Sequence, residues 1–150
     1  METKRLNDVP GLMHLWQVDN LLIAGQPSEE SFAKFSEMGI KKVFNLRSIN
    51  EVDFSFEVDA CQKFGFEYTQ IPIVSDGELI PQACEELSSL VNADEVILIH
   101  CGSANRVAAW LMTYLSTRRN IKFDDAVDIA TNSGLSNPAF IEQARKIVEG

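Results

Sequence analysis

A thiol, an imidazole and a guanidinium fall within seven residues of this chain, in the run Ile97-Leu98-Ile99-His100-Cys101-Gly102-Ser103-Ala104-Asn105-Arg106. An apolar stretch ends in His100-Cys101, a small polar loop follows, and Arg106 opens the helical pattern that continues Val107-Ala108-Ala109-Trp110. The spacing predicts strand, tight loop, helix. A loop entering a helix points its free backbone N–H groups into one bowl, and the helix dipole favours an anion there. A cysteine in that bowl is expected to ionise readily to the thiolate. Nucleophile and oxyanion site then coincide, as a phosphoryl-cysteine mechanism requires. Gly102, Ser103, Ala104, Asn105 and Arg106 are the expected phosphate-binding residues. His100 is expected to organise the loop from a buried position, because neighbouring strand residues point to opposite faces.

The remaining elements must position this bowl. Val18–Gly25 reads as a hairpin about Asp19-Asn20. Ser28 suits the N-cap of a helix whose Phe32, Phe35 and Met38 share a face and which stops at Gly39. Lys42–Leu46 reads as a short buried strand, 50–64 as a helix closed by Gly65, and Tyr68–Ile73 as another strand. Pro81 suits the first turn of a helix to about Val91. Glu95–His100 is the next strand, with a helix from Arg106 to about Thr117. Phe123–Asn132 and Pro138–Val148 close the chain as helices. Strands alternating with helices predict an α/β fold with a mostly parallel central sheet of about 4–5 strands flanked by helices. No linker or repeat interrupts it, so residues 1–150 read as a single domain. Ligands of such sheets bind beyond the carboxyl ends of the strands. Cys101, Arg47 and Asp76 all fall at such ends. Arg47 is expected to play a supporting role, paired with Glu51 or another acid. Gln26 reads as a capping or turn residue beside Pro27.

Composition bounds the function. Net charge is −9 with no basic stripe, which argues against nucleic acid. Phosphate affinity must therefore be local, from backbone N–H groups and a few arginines. No apolar run is long enough to span a bilayer, so no membrane partner is expected. The N-terminus lacks the apolar core of a signal peptide. Three cysteines, Cys61, Cys84 and Cys101, form neither a disulfide framework nor a zinc pair. These features point to a reducing compartment, the cytoplasm, although a leader removed beforehand is compatible with them. Asp124, Asp125 and Asp128 read as a helix start and solvated face, so no metal is expected. Cys61, Cys84, Trp16 and Trp110 read as packing residues.

The His100-Cys101-loop-Arg106 run resembles the protein tyrosine and dual-specificity phosphatases. Gly25-Gln26-Pro27-Ser28, Met38-Gly39-Ile40, Val43-Phe44-Asn45-Leu46-Arg47, Gly65 and Ile71-Pro72-Ile73, in that order, look more narrowly like the small bacterial dual-specificity-like phosphatases. That domain is also found fused to β-lactamase-like hydrolases. The resemblance spans about residues 18–118. It implies a phosphatase-like fold and a cysteine-dependent phosphate monoesterase without metal or cofactor. Its substrates would be a phosphorylated protein or a small phosphate ester, with inorganic phosphate or sulfate as ligand. Cys101 would be the nucleophile, Arg106 the phosphate clamp and Asp76 the general acid, with Glu78 as substitute for Asp76; Ser75-Asp76-Gly77 is equally an ordinary turn sequence, so Asp76 also reads as a turn former.

Three departures stand out. Four residues separate Cys101 from Arg106, where the wider superfamily has five, although the narrower bacterial family shares the short loop. Ala104 replaces the usual glycine, and Gly102 is expected to relieve the backbone elsewhere. Val107 replaces the hydroxyl residue that, in the family, helps expel the thiolate in the second step. The short loop also fits a rhodanese-like sulfurtransferase carrying a persulfide on Cys101. Ala104 and Val107 fit a catalytically weak phosphate-binding module.

Overall fold

A computed structural model describes all residues, Met1–Gly150. The elements in chain order are β1 (Thr3–Arg5), β2 (Leu15–Val18), β3 (Leu21–Ala24), α1 (Glu29–Glu37), β4 (Lys42–Asn45), α2 (Ser55–Phe64), β5 (Glu67–Gln70), β6 (Val74–Ser75), β7 (Glu78–Leu79), α3 (Pro81–Leu90), β8 (Ile97–His100), α4 (Asn105–Arg118), α5 (Phe123–Thr131) and α6 (Ala139–Glu149).

Six strands form the central sheet in the order β1-β2-β3-β8-β4-β5. The pairs β3·β8, β8·β4 and β4·β5 are parallel, while β1·β2 and β2·β3 are antiparallel. The sheet is thus mostly parallel, as the alternation predicts, but it has six strands rather than 4–5. The extra strand is β1, a polar Thr-Lys-Arg edge with no alternating apolar signal. A second departure is the two-stranded β6·β7 ladder, too short to leave a periodicity. The helix expected from residue 50 begins only at Ser55.

The central strands are buried on both faces, which is why they read as unbroken apolar runs. The strand period of two divides each run between two cores. Leu21, Ile23, Phe44, Ile97 and Ile99 face the larger core under α3, α4, α5 and α6. Leu22, Ala24, Val43 and Leu98 face the smaller one under α1 and α2. Helix α4 runs through the larger core with every residue from Val107 to Leu115 buried, the mark of a helix packed on all sides. The turn Asp19-Asn20 joins β2 to β3 with Asp19 at φ 55°, a left-handed position that Asp tolerates.

β8 lies between β3 and β4 although it follows both in sequence. The chain leaves β4 for α2 on one face of the sheet and leaves β8 for α4 on the other. Adjacent strands whose connections diverge in this way open a crevice at their carboxyl ends. Cys101 is the first residue beyond β8.

Candidate active site

The loop after β8 is fixed from several sides. Cys101 N–H donates to Ala24 O (3.2 Å), Leu46 N–H to His100 O (2.9 Å) and Gln26 N–H to Gly102 O (3.0 Å). Gly25 bridges Ser103. A Cβ on Gly25 would lie 3.0 Å from Gly102 O and 3.2 Å from His14 Cβ, so glycine permits this close approach. Behind the loop, Asn105 Oδ1 accepts N–H bonds from Ser136 (2.9 Å) and Asn137 (3.1 Å) in the α5–α6 connection. Cys101 is fully buried at the floor, and Arg106 sits in the first turn of α4.

The expectation that Gly102 would absorb the unusual backbone angle is overturned. Gly102 has no positive φ, and Ala104 is itself left-handed at φ 74° as the N-cap of α4. The room comes from elsewhere in the chain. A Cβ on Gly134 would lie 2.8 Å from Ala104 Cβ and 3.0 Å from the Trp16 ring. Gly134 therefore leaves space for the Ala104 methyl.

His100 and Cys101 point to opposite faces. Cys101 belongs to the larger core, whereas His100 Nε2 donates to Glu57 Oε2 of α2 at 2.5 Å, with both side chains fully buried. Glu57 Oε1 accepts from Gln26 Nε2 (2.8 Å), and Gln26 Oε1 accepts from Arg47 Nη1 (3.0 Å). Gln26 is therefore more than a turn residue: it joins two charged groups and anchors the loop backbone. Arg47 Nε donates to Glu51 Oε2 (2.8 Å). Arg106 places Nη1 on Glu51 Oε1 (2.8 Å) and Nη2 on Glu51 Oε2 (3.0 Å).

Charge proximity follows from this geometry. The hydrogen bonds from Arg106 hold the Glu51 carboxyl down at about 2; burial opposes the shift, and Arg47 and the Ser48 N–H assist it. Arg106 is raised in turn, chiefly by its hydrogen bonds to Glu51, against its burial. Burial pushes the Cys61 and Cys84 thiols up to about 12, so both are inert packing groups.

Asp76 and Glu78 stand apart. Asp76 and Gly77, at φ 51° and 78°, form the two-residue turn of the β6–β7 hairpin, and both carboxylates are exposed. The hairpin is tied to α6: Gln143 Oε1 accepts from Leu79 N–H (2.7 Å), and Gln143 Nε2 donates to Gly77 O (3.1 Å). The structure thus gathers Cys101, Arg106, His100 and Arg47 around one loop and leaves Asp76 and Glu78 on the separate β6–β7 hairpin, which is tied to α6. The acids that reach the loop network are Glu51 and Glu57. Sequence reasoning missed Glu57, although a signal existed. It shares a helix face with Ala60 and Cys61, and a carboxylate on an apolar stripe needs a buried partner.

No family model matches the chain, and no curated protein matches it. Solved structures do. A candidate phosphatase (DUF442) from Shewanella putrefaciens CN-32 is 21% identical with TM-score 0.74, covering 93% of each chain. Tk-PTP in its active form is 18% identical with TM-score 0.73, covering 86% of this chain and 91% of its own. P. aeruginosa TpbA, solved in complex with pTyr, is 14% identical with TM-score 0.70, covering 96% and 92%. This chain, with its buried cysteine just beyond the carboxyl end of a central strand, has the fold of the protein-tyrosine-phosphatase-like phosphatases.

Proposed function

We propose that this protein is a cysteine-dependent phosphatase that hydrolyses phosphate monoesters through a phosphocysteine on Cys101. The observation that carries this reading is the placement of a fully buried Cys101 directly beyond the carboxyl end of central strand β8, with Arg106 in the first turn of the helix that follows. The Cys101 thiolate attacks phosphorus in line with the ester oxygen, forming the S–P bond as the P–O bond breaks. Backbone N–H groups of Gly102 to Arg106 and the Arg106 side chain bind the equatorial oxygens, which carry the charge of the transition state. In this reading Asp76, in the turn of the β6–β7 hairpin, protonates the departing oxygen, with Glu78 as its substitute. Water then attacks the phosphocysteine, delivering its proton to the same carboxylate and releasing phosphate and thiolate. The substrate class is a phosphotyrosine or phosphoserine/threonine protein or a small phosphate ester. No helix is long and apolar enough to cross a membrane. The free thiols of Cys61, Cys84 and Cys101 fit the reducing cytoplasm.

Two observations favour a second reading, a catalytically weak phosphate-binding module. Asp76 makes no hydrogen bond to the loop, and buried Val107 stands where a hydroxyl would assist the second step. The four-residue spacing keeps a persulfide-carrying sulfurtransferase as a third. One experiment separates them: phosphate release from p-nitrophenyl phosphate by wild type, Cys101→Ser and Asp76→Asn, alongside thiosulfate-to-cyanide transfer. The phosphatase reading expects no turnover from Cys101→Ser and a loss of about 100-fold or more from Asp76→Asn. Phosphate release that survives Cys101→Ser overturns it. Sulfur transfer without phosphate release replaces it with the third reading, and phosphate binding without either activity leaves the module.

A further inference from the structure

We infer that Glu51 is a positioning residue: it holds the Arg106 guanidinium so that one edge stays aimed at an anion over Cys101. This rests on the anion-binding reading of the loop. A guanidinium has five N–H donors in a fixed plane. Glu51 engages it end-on, taking one N–H from Nη1 and one from Nη2. The side edge formed by Nε and the second Nη2 hydrogen remains, and it is a second fork with the spacing to meet two oxygens of a phosphate. Nη2, which belongs to that edge, lies beside the loop. A Cβ on Gly102 would sit 3.4 Å from Nη2.

Glu51 is itself over-determined, as a positioning group must be. Its Oε1 also accepts the Ser48 N–H (3.1 Å), its Oε2 the Arg47 Nε (2.8 Å), and its own N–H donates to Ser48 O (3.1 Å). Arg47 is held by Gln26, Gln26 by Glu57, and Glu57 by His100, the residue before Cys101. The network begins at the residue that precedes the nucleophile and ends at the anion clamp. It couples the orientation of Arg106 to the base of the loop through side chains from four separate segments. The competing role for Glu51 is that of an occupant of Arg106 that an incoming phosphate must displace. The free side edge and the three additional hydrogen bonds that hold Glu51 favour the positioning role.

The test uses wild type, Glu51→Gln and Glu51→Ala. Each is assayed for kcat and KM with p-nitrophenyl phosphate, titrated with tungstate by calorimetry, and melted to verify folding. Misplacing a clamp by about 1 Å costs on the order of 100-fold in rate. Glu51→Ala is expected to lower kcat by about that factor and to weaken tungstate binding. Glu51→Gln keeps a neutral hydrogen bond and is expected to fall between it and wild type. A merely structural role would move the melting temperature and leave the anion affinity of the folded protein unchanged, and that result overturns the inference. Tighter tungstate binding by Glu51→Ala also overturns it and identifies Glu51 as a displaced competitor. Tungstate binding tests the role even where turnover is slow. A wild type inert to both tungstate and ester instead sinks the anion-site reading itself, and the inference with it.

Discussion

Ala104 holds a backbone conformation that alanine rarely adopts. Of the four non-glycine residues with positive φ, the other three are Asp19, Asp76 and Asn120, types whose short polar side chains tolerate it. A left-handed alanine costs about 1–2 kcal/mol. Against this stand the buried methyl, which contributes about 0.8 kcal/mol, and the smaller conformational freedom of Ala than Gly in the unfolded chain, about 0.4–1 kcal/mol. These terms nearly cancel. Ala104→Gly is therefore expected to change unfolding stability by less than about 1 kcal/mol in a urea titration. Its neighbour behaves differently. Gly134 has φ 108°, and its missing Cβ would overlap both Ala104 and Trp16. Gly134→Ala combines backbone strain with overpacking and should lose about 2–4 kcal/mol in the same titration. A neutral Gly134→Ala would mean that the Ala104 loop is free to move aside.

At the scale of elements, the loop is shaped by connections rather than by the strand and helix it joins. Helix α2 contributes Glu57, the β3–α1 connection Gln26, the β4–α2 connection Arg47 and Glu51, and the α5–α6 connection the N–H groups capped by Asn105. The Glu57–His100 contact is the deepest of these, with neither side chain exposed. Removing one partner of a buried polar pair leaves the other without compensation, and here Gln26 also loses an acceptor. Each abandoned group costs about 1–3 kcal/mol, and a broken buried ion pair about 3–5 kcal/mol. Glu57→Ala is expected to destabilise the fold by about 2–5 kcal/mol by chemical denaturation. A loss under about 0.5 kcal/mol would show that α2 does not brace the loop. The β6–β7 hairpin, in contrast, is held at its tip and at Leu79 by the side chain of Gln143 alone among side-chain hydrogen bonds.

For the whole molecule, pH reads out the buried and paired groups together. Glu51 is lowered from 4.5 to about 2 by Arg106, so between those values the unfolded chain binds a proton that the folded chain does not. Its contribution is present above about pH 4.5 and is lost as pH falls toward 2. Cys61 and Cys84 act at the other end. Burial raises them from 9.0 to about 12, so the unfolded chain ionises first and their contribution is lost as pH rises from 9 toward 12. The melting temperature is expected to be flat between about pH 5 and 9 and to fall on both sides. Glu51→Ala should shallow the acid limb and leave the alkaline limb unchanged. An acid limb identical to wild type would separate Glu51 from the acid transition.

The sequence by itself determined what local physics controls. The apolar runs Leu21–Ala24 and Ile97–Ile99, the Asp19-Asn20 turn, the helix stops at Gly39 and Gly65 and the strand-loop-helix at Cys101 all follow from periodicity and turn chemistry. The opposite orientations of His100 and Cys101 follow from the strand period. Tertiary structure alone decided which strands are neighbours. The insertion of β8 between β3 and β4 brings Gln26, Arg47, Glu51 and Glu57 to the Cys101 loop from separations of 44 to 75 residues in sequence, and no local rule encodes such a distance. It decided that Ala104, not Gly102, takes the left-handed angle, because the space needed comes from Gly134 across the fold. It also added β1, whose polar edge has no pattern until β2 lies beside it. The strand-loop-helix order of the run from Cys101 to Arg106 is legible because spacing and turn chemistry act locally. The pairing of Arg106 with Glu51 is not legible there, because it depends on where the whole sheet places the β4–α2 connection.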